Sequence, residues 1–492
     1  MNDLSDFGRL RRNLLKFLGA FAIAPTILKA STGRSRKQPN VIIFLSDDQR
    51  WDSLGFEGNE LALTPNLDHL ANVGTAFRNS FVTTPICASS RATFFTGLHF
   101  SAHKFNFGTD GIDPSLTDTT FPFLLRQHGY KTGLVGKLGV WWDDGNWAAL
   151  KRKLGLGGSQ AERIFDFLKP VGRTPYIVED EFGEAIHSLD QIAKHSTEFL
   201  SAQNSSDPFC LIVSFNAPHI TEPFEDQRRF QPAASEEPLL TDKTMPKSNL
   251  DRAELKNALP DFLTQGYIGK QYEQLWSTKE ARRQGLDYYR LVAGVDRVVG
   301  EVLAALDDHG LRDDTVVFFT SDNGYSHGER HLGGKWTHFD ESIRVPMIIH
   351  DPRKTRTGLE RPQEFALNID IPSTVLDLCN VPIPKSYQGE SLGPFLNDTI
   401  PTNWRSDFFC EHFADIGLEL PDWVGIRGTD FMFADYTESH GTGVFYNDLI
   451  ADPWQQENLA GYQGNFEIVT RLQEKAHMLK TQYSRTSPGI SE

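Results

Sequence analysis

A chain of 492 residues, 39% apolar and 23% charged, has the composition of a soluble globular protein, long enough for two or three domains or one large α/β domain with an accessory piece. The formal net charge of −16 argues against a nucleic-acid partner, so any anionic substrate must be drawn by charges built locally into a site. Four cysteines in a chain of this length make no disulfide framework.

In chain order, the first thirty residues stand apart. Arg11 and Arg12 precede an apolar run from Phe17 to Leu28 that is too short to span a bilayer. This is the pattern of an export signal of the twin-arginine kind over residues 1–30, and it predicts an exported, periplasmic or secreted protein with no membrane span in the mature chain. Residues 31–39, "STGRSRKQP", read as a polar linker.

"NVIIFLSDDQ" from residue 40 is a β-branched apolar run ending abruptly in Asp47 and Asp48, as expected of a strand buried on both faces of a parallel sheet. "FPFLLRQHGYKTGLVGK" reads as helix then strand and ends on Lys137, and "PFCLIVSFNAPH" is a strand followed by a loop bearing His219. Leu291, Val295, Val298, Val302 and Leu306 mark one helix face, with Gly310 as its stop, and "DTVVFFTSDNG" then repeats the strand design and ends on Asp322 and Asn323. Four segments thus deliver polar groups to the carboxyl edge of one sheet, where ligands bind in open α/β folds. Three carboxylates and an amide oxygen form a hard oxygen donor set suited to Ca²⁺ or Mg²⁺ rather than zinc.

Cys210, Cys379 and Cys410 lie in apolar contexts, whereas Cys87 in "PICASSRATFFTG" is flanked by small polar residues and Arg91. The stretch from Phe224 to Gln284 is charged and long for a connection, as loops that shape binding sites are. After residue 385, "SDFFCEHF", "WVGIRGTDFMFADY" and "GVFYNDL" read as antiparallel strands, and "NFEIVTRLQEKAHMLKTQYS" as a closing amphipathic helix. The predicted fold is α/β: a large, mostly parallel sheet flanked by helices over residues 40–385, with a smaller antiparallel α+β subdomain over 386–492.

The motifs "NVIIFLSDDQ", "PICASSRATFFTG", "GYKTGLVGK", "SFNAPH", "TSDNG", "GGKWTHFDESIRVPMIIHDPR", "IDIPSTVLDL" and "DLIADPWQQENLA" run nearly end to end. In that order they resemble the formylglycine-dependent sulfatases of the alkaline-phosphatase superfamily. The resemblance implies that a formylglycine-generating enzyme oxidises Cys87 to formylglycine, whose hydrate attacks the sulfur of a sulfate ester. It implies a divalent cation, Ca²⁺ or alternatively Mg²⁺, held by Asp47, Asp48, Asp322 and Asn323 with residue 87 completing the shell. Arg91 would hold the hydrate, Lys137 and Lys335 would clamp the sulfate, and His219 would serve the leaving alcohol. His412 aligns with a segment that borders the family's substrate pocket, and Trp141, Trp142 and Trp147 are candidate sugar platforms, which together point to a sulfated carbohydrate.

The sequence departs from the family pattern at three places. Ser89 stands where proline or alanine is usual, Leu98 where an arginine is common, and Gly139 where many members carry a histidine two residues after the lysine. His327, His331 and His338 are the candidates to replace that histidine. Two rival readings stand beside the sulfatase one: a phosphodiester or phosphonate monoester hydrolase on the same fold, and a binding protein with a dead site.

Overall fold

Period-two burial of the strands organises the molecule. In β1 (Asn40–Ser46), Ile42 and Phe44 pack into one core, whereas Val41, Ile43 and Leu45 pack into another on the opposite face. A strand with no polar face can only be central, and β1 pairs in parallel with β5 (Phe209–Ser214) on one side and β6 (Thr315–Ser321) on the other. With β2 (Thr75–Ala76), β3 (Lys131–Gly136), β4 (Phe167–Pro170) and β7 (Met347–His350), the sheet runs β2-β7-β6-β1-β5-β3-β4. The strands from β6 to β4 are parallel, and β7 and β2 extend the β6 edge in antiparallel pairing.

In this computed structural model the described residues are 38–141, 159–172, 176–179, 182–204, 206–221, 228–354, 361–397, 399–413, 419–438 and 441–485. Residues 39–492 form one compact unit. The export signal, residues 31–37 of the linker, Trp142 and Trp147 lie outside the described residues.

Helices cover both faces. On one side lie α1 (Pro65–Val73), α3 (Ser188–Ser201) and the long α4 (Lys279–Asp308), whose Leu291, Val295, Val298, Val302 and Leu306 are all buried as their spacing predicted. Gly310 takes a left-handed conformation (φ +64°) just past its end. On the other side lie α2 (Cys87–Thr96) and α5 (Asp370–Leu378).

A second sheet, β8 (Asp407–His412), β9 (Asp422–Gly428), β10 (Phe431–Glu438) and β11 (Gly443–Asp448), is antiparallel throughout. One face packs Cys410, Trp423 and Tyr436 toward the site-bearing loops, and the other packs Phe409, Val424 and Phe433 under α6 (Phe466–Arg485). Leu392, Phe395 and Leu396, which precede this sheet, pack into the core of the main one. Among the described residues no helix is long and apolar enough to cross a membrane.

Candidate active site

The parallel strands β6, β1, β5 and β3 are neighbours, so the residues just past their carboxyl ends converge: Asp322 and Asn323, Asp47 and Asp48, the loop to His219, and Lys137. All are buried. Asp48 turns the chain in the left-handed region (φ +64°), which Asp and Asn tolerate better than most residues. Its amide donates to Asp322 Oδ1 at 3.2 Å, and Asn323 Nδ2 donates to Asp48 Oδ1 at 2.7 Å, tying the two strand ends together.

Cys87 is the first residue of α2, a helix whose ten residues are all buried. Ile86 before it offers no side-chain cap, so the first-turn amides and the positive end of the helix dipole face the site. Two hydrogen bonds hold this entry: Ser89 Oγ donates to the Phe105 carbonyl at 2.8 Å, and Asn368 Nδ2 donates to Ser90 Oγ at 2.9 Å. Leu98, where the family pattern has an arginine, is buried in the core on this face of the sheet.

Three cations enter the cluster. Lys335 Nζ lies 3.0 Å from Cys87 Sγ and also bonds Asp48 Oδ1, while Lys137 Nζ bonds Asp47 Oδ2. Arg91 Nε pairs with Asp322 Oδ2 at 2.7 Å, and its Nη1 reaches the Lys137 carbonyl at 3.1 Å. Trp336 beside Lys335 sits at φ +79°, a strained position for a bulky residue. His219 donates Nδ1–H to the Ile220 carbonyl at 2.7 Å, because a carbonyl can only accept; this leaves Nε2 toward the cluster, 3.6 Å from Asp48 Oδ2.

The electrostatics follow from crowding in a dry site. Burial would raise Asp47, but Lys137, His219, Lys335 and Arg91 together hold its carboxyl far below the usual range. Burial and the charge of Asp47 push Asp322 up against the pull of Arg91. Burial also raises the Cys87 thiol, with Lys137 and Lys335 opposing.

The donor chemistry fits a hard divalent cation. Asp47 Oδ1, Asp48 Oδ2 and Asn323 Oδ1 are buried oxygens with no hydrogen-bond donor, which is costly unless a cation satisfies them. One ligand atom each from Asp47, Asp48, Cys87 and His219 falls within 4.8 Å of the others, a group that includes the histidine and, unlike the sequence reading, leaves out Asp322. Asp322 Oδ2 is engaged by Arg91.

Gly139, at φ +69°, has its Cβ direction filled by Arg91: a Cβ there would stand 2.2 Å from Arg91 Cδ. The proposed histidine replacements have other partners. His338 bonds the Tyr436 hydroxyl at 2.8 Å, His331 pairs with Asp251 at 3.2 Å, and His327 is enclosed by Trp276, Tyr288, Tyr289 and Tyr325. His412 is fully buried with Nδ1 on the Pro421 carbonyl, while its neighbour Glu411 donates its amide to the Thr83 carbonyl on the loop leading to Cys87. Trp141 is half-buried, edge-on to Phe105, and donates to the Thr109 carbonyl.

Sequence reasoning missed the supports. The Tyr288 hydroxyl donates to the Asp48 carbonyl at 2.9 Å and accepts the Arg50 amide at 3.0 Å. Arg50 pairs with Glu329 at 3.0 Å, fixing the segment that leads to Lys335. Nothing in the α4 periodicity separates Tyr288 from its core neighbours; the arginine directly after "DDQ" was the one available signal.

Comparison with known proteins agrees with this geometry. The sulfatase family model matches residues 39–381, and that of the N-sulphoglucosamine sulphohydrolase C-terminal region matches residues 328–482. The chain is 27% identical over 473 residues to an arylsulfatase of Clostridium perfringens, covering 89% of this chain and 93% of that protein. It is 26% identical over 516 residues to an N-acetylglucosamine-6-O-sulfatase of Bacteroides thetaiotaomicron, covering 93% and 88%. The structure of BT4656 in complex with D-glucosamine-2-N,6-O-disulfate superposes with a TM-score of 0.72 at 21% identity, covering 93% of this chain and all of that one, a likeness of fold. The chain is therefore a sulfuric ester hydrolase of the sulfatase family, within the alkaline-phosphatase-like superfamily.

Proposed function

We propose that this enzyme releases sulfate from a sulfated carbohydrate, with a formylglycine made from Cys87 by a formylglycine-generating enzyme and a bound divalent cation, Ca²⁺ or alternatively Mg²⁺. The observation that carries the reading is the meeting of Cys87, at a helix N-terminus, with Lys335 at 3.0 Å and a set of donor-less carboxylate and amide oxygens. Once formed and hydrated, the formylglycine supplies a diol oxygen as nucleophile toward sulfur. The cation, held by Asp47, Asp48, Asp322 and Asn323 beside residue 87, supplies charge that stabilises oxyanions.

The chain's own residues do the rest. Lys137 and Lys335 bring two buried positive charges to residue 87, where they hold sulfate oxygens and offset the charge that develops on the ester oxygen. Arg91 locks Asp322 and the Lys137 backbone, so its role is to fix the positions of groups on both sides of residue 87. His219, with Nδ1 committed to a carbonyl, can donate only from Nε2, and does so when cationic. The scissile bond is the S–O bond to the alcohol, which departs with the proton from His219; the sulfuryl group, then on the diol oxygen, would leave as sulfate when the second hydroxyl gives up its proton and the aldehyde re-forms.

The N-acetylglucosamine-6-O-sulfatase among the relatives supports a sulfated sugar as substrate. Residues 1–30 support export before action on such a substrate. The test is sulfate release from sulfated oligosaccharides alongside matched aryl sulfate, aryl phosphate and phosphodiester substrates. Preference for sulfated sugars supports the proposal; preference for either phosphorus ester overturns it.

A further inference from the structure

A second concentration of positive charge lies on the outer side of α4, among residues with no place in the chemistry above. A cavity of 750 Å³ opens between the first three turns of α4 and the segment from Leu240 to Lys247. Among the described residues its lining carries six cations, Lys243, Lys247, Lys279, Arg282, Arg283 and Arg290, against one carboxylate, Glu280. On a chain of net charge −16 such an imbalance is not an average surface. It follows from helix geometry: Lys279, Arg283, Leu286 and Arg290 recur every three or four residues, so one helix face presents its charge to the cleft over about 16 Å.

Among the described residues, three of these six charges have a carboxylate within 4 Å, and three do not. Lys247 pairs with Asp251 at 3.4 Å and Arg290 with Asp287 at 2.5 Å, while Arg283 stands 3.8 Å from Glu280 with both side chains exposed. Arg282 bonds the Trp276 and Ser277 carbonyls, which leave its charge in place. Lys243 and Lys279 are exposed and have no carboxylate partner among the described residues. Leu240, Met245 and Leu286 give the cleft an aliphatic floor, and Thr241 and Thr244 add hydroxyls. Among the described residues no aromatic ring lines it, and these therefore offer none of the stacking surfaces that single-stranded nucleic acid requires.

We propose that this cleft binds a sulfated stretch of the carbohydrate chain away from the bond being cleaved. Spaced cations match the spaced sulfates of a glycan, and the aliphatic floor accepts the apolar faces of sugar rings. Tyr288, on the same turns of α4, contacts the backbone of Asp48, so the cleft and the catalytic cluster are built on one rigid element. A polymer held there raises the local concentration of its own sulfate esters at the site. The choice of a sulfated glycan as occupant rests on the substrate proposed above.

The test measures binding of a heparin decasaccharide to the Cys87→Ala protein, with and without the exposed changes Lys243→Ser, Lys279→Ser and Arg283→Ser. The triple change should weaken binding at least tenfold, flatten its salt dependence, and leave aryl sulfate turnover unchanged in the Cys87-bearing enzyme. The desulfated decasaccharide should not bind. Equal binding by the triple variant, no binding by the parent, or equally tight binding of a single-stranded DNA of matched charge each overturns the proposal. Failure of the substrate reading has a separate signature: aryl sulfate is cleaved but no sulfated glycan releases sulfate.

Discussion

Placing a side chain at Gly139 should disable the enzyme through Arg91. At φ +69° any L-residue costs about 1–2 kcal/mol. An alanine Cβ would also stand 2.2 Å from Arg91 Cδ and 2.9 Å from its Nε, well inside contact distance, so Arg91 must move. Arg91 is almost fully buried and pairs with Asp322 at 2.7 Å; separating such a pair costs roughly 3–5 kcal/mol. Gly139→Ala should therefore lose about 4–7 kcal/mol if Arg91 is fully displaced, the sum of those two terms. Denaturant unfolding and aryl sulfate kinetics read the loss in stability and turnover. In an Arg91→Ala background the clash is gone, so adding Gly139→Ala should cost only the backbone part, about 1–2 kcal/mol. An equal cost in both backgrounds, or a neutral Gly139→Ala, would refute the reasoning. Gly139→His, which restores the usual family residue, should fail in the same way.

Three further outcomes follow from the site and its surroundings. Exhaustive chelation should abolish turnover and added Ca²⁺ restore it, and Asp322→Ala should lower turnover by orders of magnitude; full activity in metal-free protein, verified by elemental analysis, contradicts the donor-set argument. His219→Ala should depress kcat most for esters of poorly acidic alcohols and least for good aryl leaving groups, so a uniform loss across a leaving-group series removes His219 from proton donation. Glu411 is fully buried against Ser101, and burial lifts its carboxyl to about 7 from the ordinary 4.5. The folded chain therefore keeps a proton that the unfolded chain releases, a stabilising term complete below pH 4.5 and lost as pH rises to 7. It amounts to about 3 kcal/mol. Glu411→Gln, which mimics the neutral acid, should gain on the parent in melting temperature from pH 5 to 8. The histidines that burial holds low (His99 and His103 at about 3, His412 at about 4) cancel in that comparison, and parallel pH profiles would contradict it.

The strands that carry the site were legible because a strand buried on both faces has no room for polar residues until it ends. "NVIIFLS" and "TVVFFTS" therefore announce both the central strands and the point where Asp47 and Asp322 emerge. The C-terminal hairpins and the closing helix were readable from the switch of period, and α6 spans nearly the predicted residues. The resemblance to a family supplied the roles, but local geometry was not in the pattern. That Arg91 fills the space beside Gly139, that Tyr288 braces Asp48, and that Trp141 packs against Phe105 depend on contacts between residues far apart in the chain. The basic cleft was illegible for a related reason. Lys243 and Lys279 are 36 positions apart and become one surface only when the segment from Leu240 to Lys247 lies along α4.

The most direct test of the account is the mass of the peptide bearing residue 87, taken from enzyme produced with a formylglycine-generating enzyme and assayed for sulfate release in the same preparation. The account predicts a peptide lighter by the exchange of thiol for aldehyde, reactive toward a hydrazide probe, in a fraction that tracks specific activity across preparations. Unmodified cysteine throughout a fully active preparation would contradict it.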